Sequence, residues 1–232
     1  MDIKEYFIRI NTESQSVFNN SILKKDKLGN LHHLSSCIYE FSNYVTDNQE
    51  KRILETVCAQ LESSNYNLII GLYRQAFSSL RLALEMGLAA IYFSARKLEF
   101  NEWIDGRMDI KWSKLVDEEN GVLSKRFAKA FFSDMVEEVE KYRDNSISVY
   151  RNLSEYVHGN NETWINSGIK ISYNEEFFEK YCVYYKIVCE VILFTTMCRY
   201  VKTLDEKDRE SLQFLPEEFN HILKIRELFG RS

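Results

Sequence analysis

Helix breakers are nearly absent from this chain: its 232 residues contain one proline, Pro216, and eight glycines. Proline in a helix interior costs about 3 kcal/mol and glycine about 1 kcal/mol relative to alanine. A sandwich or barrel needs a turn every 8–12 residues or so, and this chain lacks the residues to make them. Long helices are what remains, so the expected fold class is all-α. Apolar residues make up 45% of the chain and aromatics 14%, enough to fill a core and to exclude disorder.

Periodicity divides the chain. Ile3, Tyr6, Phe7 and Ile10 mark a first helix, followed by a polar connector over 12–30. His32 and His33 open a helix to about Val45. Asp47 or Asn48 caps another to about Ser63. A long helix is expected from Asn65 to about Lys97, shorter pieces over 99–133, and a loop from Asn160 to about Asn174. Asn174 or Ser172 caps a helix over 175–203 that is apolar nearly all round, hence deeply buried. Pro216 at a first helical position and Gly230 as a stop frame a short terminal helix. The expected organisation is an N-terminal extension over 1–63, a bundle over 64–203 and an appendage over 204–232, together one compact domain.

The most informative stretch is Asp134 to Gly159, DMVEEVEKYRDNSISVYRNLSEYVHG. Met135, Val139, Tyr142, Ser146, Val149, Leu153 and Tyr156 recur at steps of four and three, one face of a helix of about seven turns. Gly159 fits the residue just past its end. Arg151 and His158 share a second face, two turns apart. Ile147, Tyr150 and Val157 flank that face, so the helix is expected to be buried on most sides.

Other function classes lose support. There is no GxxxxGK[ST], no GxGxxG after a strand, no HExxH and no GxSxG. The five cysteines, Cys37, Cys58, Cys182, Cys189 and Cys198, have no tight ligand spacing and read as reduced core residues. His32 and His33 are adjacent, a poor shape for a metal pair on a helix. No metal or cofactor is expected. The net charge of −5 argues against a broad basic nucleic-acid surface. Lys111, Lys114, Lys125, Arg126 and Lys129, interleaved with aromatics, are a local exception that reads as a phosphate contact or as a solvated face. Charges at the N-terminus exclude a signal peptide. The longest uncharged apolar stretches, Met86–Ala95 and Val191–Cys198, fall short of the roughly 20 residues that span a bilayer. A cytoplasmic location without membrane contact is the expectation.

Arginine binds phosphate as a planar, permanently charged fork, histidine moves a proton near neutral pH, and asparagine orients a ring nitrogen or a phosphate oxygen. Arg151, His158 and Asn152 together have the parts for metal-free RNA cleavage with the ribose 2′-hydroxyl as internal nucleophile. Seven residues of helix rise about 10.5 Å, wide for one phosphodiester, and a second copy of the helix would narrow the gap. Asn152 lies about 100° round from Arg151. The plain structural reading has His158 capping the helix C-terminus and Arg151 pairing with Glu155. Upstream, Arg81 and Glu85 are four apart and can pair, or Glu85 can orient a cation near the Arg151/His158 face.

RNLSEYVHG, with six residues between Arg151 and His158, resembles the Rx4-6H signature of the HEPN superfamily. Asn152 matches the polar residue that often follows the arginine, and RLALE (Arg81 to Glu85) resembles the earlier helix that can lend an acidic group. The similarity spans roughly residues 64–203. It implies a HEPN-like up-and-down helical bundle with additional N- and C-terminal helices, working as a homodimer with two signature helices at a cleft. It further implies a metal-independent endoribonuclease of bacterial toxin–antitoxin, phage-defence or RNA-processing type, with an antitoxin or defence protein as possible partner. In those terms His158 is the general acid/base, Arg151 the phosphate binder and Asn152 a positioning group, with Glu85, Arg81 and Glu155 in support. The N-terminal arm, the extra C-terminal helix and the acidic charge depart from the pattern. Some members are inactive, so a non-enzymatic helical adaptor, or a nucleotide- or RNA-binding module, is the competing expectation.

Overall fold

The computed structural model describes residues 2–158 and 171–231, and the described residues contain helices and no strand. The helices are α1 (Ile3–Ser21), α2 (Lys25–Ser42), α3 (Asn48–Ile69), α4 (Tyr73–Ser94), α5 (Lys97–Ile104), α6 (Trp112–Leu115), α7 (Lys125–Phe131), α8 (Val139–His158), α9 (Glu175–Tyr200), α10 (Glu206–Ser211), α11 (Phe214–Glu218) and α12 (Leu223–Leu228). The all-α class is as expected. Gly159 and the loop beginning at Asn160 lie outside the described residues up to 170.

Five helices make the bundle. Ser64 on α3 reaches the Ala76 carbonyl on α4, so these two form a hairpin. Arg81 on α4 meets Tyr150 on α8, and Arg74 meets the end of α8, so α4 and α8 are antiparallel. Tyr142 stacks on Phe194 and Tyr156 lies edge-on to Phe177, which makes α8 and α9 antiparallel too. Lys27 pairs with Glu179 while Phe41 meets Tyr200, so α2 runs with α9. Thus α2, α4 and α9 point one way, α3 and α8 the other.

The central member is α9, where Val191 through Cys198 are all buried. By length and composition α4 and α9 would pass for bilayer-spanning helices, although the uninterrupted apolar runs are short. Two thirds (67%) of the most apolar stretch of each is buried inside the fold. Most of their apolar surface packs against other helices, with Leu82 and Val183 left exposed.

Boundaries moved for identifiable reasons. The capping predictions hold at Asp47, whose carboxylate accepts from the Gln49 and Glu50 amides, and at Asn174, which accepts from the Phe177 amide. The expected single helix over 65–97 is broken at Ile70–Leu72, where Gly71 takes φ +83°. Accordingly α3 runs unbroken across residues 63 and 64, and α2, α3, α4, α8 and α9 contribute to one hydrophobic core. Helix α1 continues through the polar segment read as a connector. Ser14 donates to the Ile70 carbonyl, Glu13 accepts from the Ile171 amide, and Val17 is buried against the Gly71 turn. The helix expected from Asp134 begins at Val139, after a tight turn at Ser133–Met135. Pro216 is the third residue of α11, and the terminal stripe is split between α11 and α12.

A buried carboxylate ties three helix ends together. Glu50, only 5% exposed, receives the Lys97 ammonium from α5 and the Tyr200 hydroxyl from α9. Lys97 also bonds Asp47. The Lys97 ammonium and the amides of Glu50 and Gln49 hold the Asp47 carboxyl below its ordinary range. A depressed folded pKa contributes stability that is present above the unfolded value of about 3.9 and is lost as pH falls through the folded one.

Two outcomes are expected. Asp47→Asn keeps an N-cap and loses the charge, so its stability deficit in urea melts is largest at neutral pH and shrinks below about pH 4; a deficit constant with pH contradicts the coupling. A Cβ on Gly71 would sit 2.7 Å from Ile171 Cγ2 and 3.1 Å from Val17, whereas one on Gly106, at φ +70°, meets nothing within 4 Å. Gly106→Ala should therefore cost only backbone strain, about 1–2 kcal/mol. Gly71→Ala should cost distinctly more, and equal losses of Tm mean that α1 is not docked there.

Candidate functional site

The inner face of α8 is fixed by aromatic packing. Tyr142 stacks on Phe194 with centroids 3.7 Å apart, and Tyr156 stacks on Phe77 at 3.9 Å. Val139, Tyr142, Ser146, Val149, Leu153 and Tyr156 are the buried residues, the face expected from their spacing. With that face held against α4 and α9, the opposite one must look outward. Arg151, Glu155 and His158 are exposed and Asn152 is half-buried. Burial of the helix on most sides is thus corrected: Ile147 is 41% exposed, and Tyr150 finds its partners at the side of the helix.

Arg151 and Asn152 border a shallow depression of about 620 Å³ with Asp144, Ile147, Ser148 and Glu155. All six residues lie on α8, so one copy of the chain presents an open face. His158 lies one turn beyond Glu155 on the same face. Among the described residues neither Arg151 nor His158 makes a hydrogen bond or ion pair. The Arg151–Glu155 pair that spacing allows is not formed. Asp144 and Glu155 nevertheless stand seven residues before and four after Arg151, close enough on a helix to offset part of its field.

The cap expected of His158 is supplied by another residue. Arg74, on the first turn of α4, donates from Nε to the Tyr156 carbonyl and from Nη2 to the Val157 carbonyl, both at 3.0 Å. It satisfies carbonyls that a helix end leaves open and places a cation at the negative end of the dipole. No spacing in the sequence points to this contact, which joins residues 82 and 83 apart.

Arg81 and Glu85 do pair, at 3.2 Å. Arg81 Nη2 also donates to the Tyr150 hydroxyl at 2.6 Å, with its guanidinium 4.5 Å from the ring centroid. The far face of Tyr150 carries Trp112, stacked at 3.8 Å and 4°. Burial and the Glu85 carboxylate push the Tyr150 hydroxyl up, with Arg81 opposing. Glu85 therefore orients a cation that braces α8 from the side, at a position about 100° round from Arg151. The structure unites Arg81, Glu85, Tyr150 and Trp112 in one cluster, and Arg151, Asn152 and Glu155 in another.

The remaining candidates resolve individually. His32 faces Glu62, and His33 faces Glu218 and Cys37. The described residues contain no group of three or more His, Cys, Asp or Glu placed to hold a metal ion. Lys111, Lys114, Lys125, Arg126 and Lys129 are all exposed, and Lys125 pairs with Glu140. Comparison with protein-family models, with curated proteins and with solved structures finds no match to this chain.

An exposed residue whose side chain has no partner among the described residues can be removed cheaply. His158→Ala should change unfolding free energy by no more than about 0.5 kcal/mol. Arg74→Ala should cost about 1–3 kcal/mol and speed amide exchange in the last turn of α8. Equal losses in chemical denaturation would mean that His158 is structural after all.

Proposed function

We propose that this chain is a HEPN-type, metal-independent endoribonuclease whose working face is the outer surface of α8. The observation that supports it best is that Arg151 and His158 stand on one solvent-facing side of a helix whose other side is locked in the core. Among the described residues no side chain holds either. An imidazole and a permanent cation with no side-chain partner among the described residues are available for chemistry.

The step needs no group beyond these. The imidazole of His158 takes the proton of a ribose 2′-hydroxyl, and the oxygen attacks the adjacent phosphorus. A 2′,3′-cyclic phosphate forms as the bond to the 5′-oxygen breaks, and that oxygen takes a proton from an imidazolium. Arg151 binds the phosphate and the charge that grows on it. Asn152, half-buried at the edge of the same depression, holds a phosphate oxygen. With one imidazole on this face of each copy and the two groups about 10.5 Å apart along the axis, acid and base come from two copies facing each other. The reading places the protein in the cytoplasm, where its RNA target and any antitoxin or defence partner would be.

A second reading has one observation in its favour. The depression around Arg151 carries two carboxylates and the exposed Ile147, a mixed surface that suits a protein partner as well as an RNA. In that version the chain is a catalytically silent helical adaptor.

Single-turnover cleavage of a mixed RNA pool in EDTA separates the two. The nuclease reading expects cleavage to cyclic-phosphate ends, no cutting of a 2′-deoxy substrate, and loss of at least about 100-fold in rate for His158→Ala or Arg151→Ala with unchanged Tm. Absence of cutting by the wild-type chain, or a His158→Ala variant that cuts equally well, leaves the adaptor.

A further inference from the structure

Away from α8, a second concavity of about 250 Å³ opens between α3, α4 and α5. Its lining divides by helix. Met86 from α4 and Phe100, Trp103 and Ile104 from α5, with Ile53 at the floor, form an apolar wall. Gln49, Arg52 and Thr56 form a polar edge along one side of α3. We propose that this pocket is a binding site for a small planar aromatic carboxylate, with Arg52 as the partner of the anion.

The apolar wall is built before any ligand arrives. Trp103 stacks on Phe93 at 5.1 Å and 20°, and Phe100 is 2% exposed beneath it. An indole held in this way offers a rigid flat surface, and flat rings are what such surfaces prefer. At the mouth Ile104 is 56% exposed, an apolar side chain with nothing over it among the described residues. A ring entering the pocket would cover it.

The polar edge selects charge. Its neighbours on α3 and α5 are already paired: Lys51 with Glu55, Lys97 with Asp47 and Glu50. Arg52 makes no hydrogen bond or ion pair from its side chain among the described residues, and its planar fork matches a carboxylate. Thr56 spends its hydroxyl proton on the Arg52 carbonyl at 2.8 Å, so it offers only an acceptor. A single cation suits one negative charge and leaves a polyphosphate uncompensated. Size points the same way. Sites for drug-sized ligands span about 300–1,000 Å³, so this one takes a single ring system and excludes a dinucleotide.

The test uses the full chain and two indoles that differ in charge, indole-3-propionate and tryptamine. The Trp103 indole N–H resonance, assigned with Trp103→Phe, is followed by nitrogen-edited NMR. The expected result is a saturable shift with indole-3-propionate at a Kd below about 1 mM, no saturation with tryptamine, and at least a tenfold weaker Kd in Arg52→Ala. Ile104→Glu, on an exposed position that leaves the fold alone, places a like charge at the mouth and should weaken binding similarly. No saturation by the anionic probe, an equal response to tryptamine, or an unchanged Kd in Arg52→Ala overturns the proposal.

Discussion

Burial of the second half of α9 from every side is the constraint on which the rest of the structure depends. Eight consecutive residues, Val191 to Cys198, have no solvent-facing side, so helices must surround them. The neighbours α2, α4, α7 and α8 do so. The approach on the α4 side is as close as glycine permits: a Cβ on Gly87 would lie 2.6 Å from Ile192. Once α8 has committed its aromatic face to α4 and α9, its charged face has only solvent to meet. The candidate site is in that sense a consequence of how the core is filled.

Inside the bundle, polar groups set the register between helices that apolar contact alone would leave free to slide. Ser64 donates to the Ala76 carbonyl, Tyr181 beside it donates to the Asn65 side-chain carbonyl, and the Asn65 amide in turn donates to Tyr185. Ser64, Tyr181 and Tyr185 are fully buried. Burial pushes both phenols up, so they stay protonated. An unmade bond at such depth costs about 1–3 kcal/mol, and a shift of α9 by one turn against α3 would break several together. At the far end of the same two helices, Glu50 and Tyr200 fix the register again.

Much of this was legible because it is local. The caps at Asp47 and Asn174 follow from side-chain oxygens beside a helical pattern, and the buried stripe of α8 follows from its spacing. The break at Gly71 was hidden because Tyr66, Ile70, Tyr73 and Phe77 keep a helical period straight through it; the glycine passes for a packing residue until its φ is known. Helix α1 was cut short because its second half is polar, and what sustains it are contacts with Ile70 and Ile171, far away in the chain. The contacts of Arg74 and Arg81 with α8 were invisible for the same reason, whereas the Arg81–Glu85 pair was legible from its spacing. Each reaches α8, about 70 to 80 residues on. The spacing of Arg151 and Glu155 permitted a pair that the fold does not form, since nothing buries either side chain to make the pairing worth its entropy.

Among the described residues, the outer face of α8 is therefore charged, solvent-facing and covered by no other helix. A guanidinium and an imidazole two turns apart accomplish little on an open surface; in the proposed pairing, two copies facing each other would enclose a phosphate. Cross-linking through Ser148→Cys, on the exposed face between Asp144 and Arg151, measures that pairing directly. The account predicts that mild oxidation gives a disulfide dimer whose tryptic digest contains the 148–148′ linkage, and that RNA at saturating concentration does not abolish it. A chain that sediments as a monomer at every concentration and forms no such linkage would contradict a site assembled from two copies of α8.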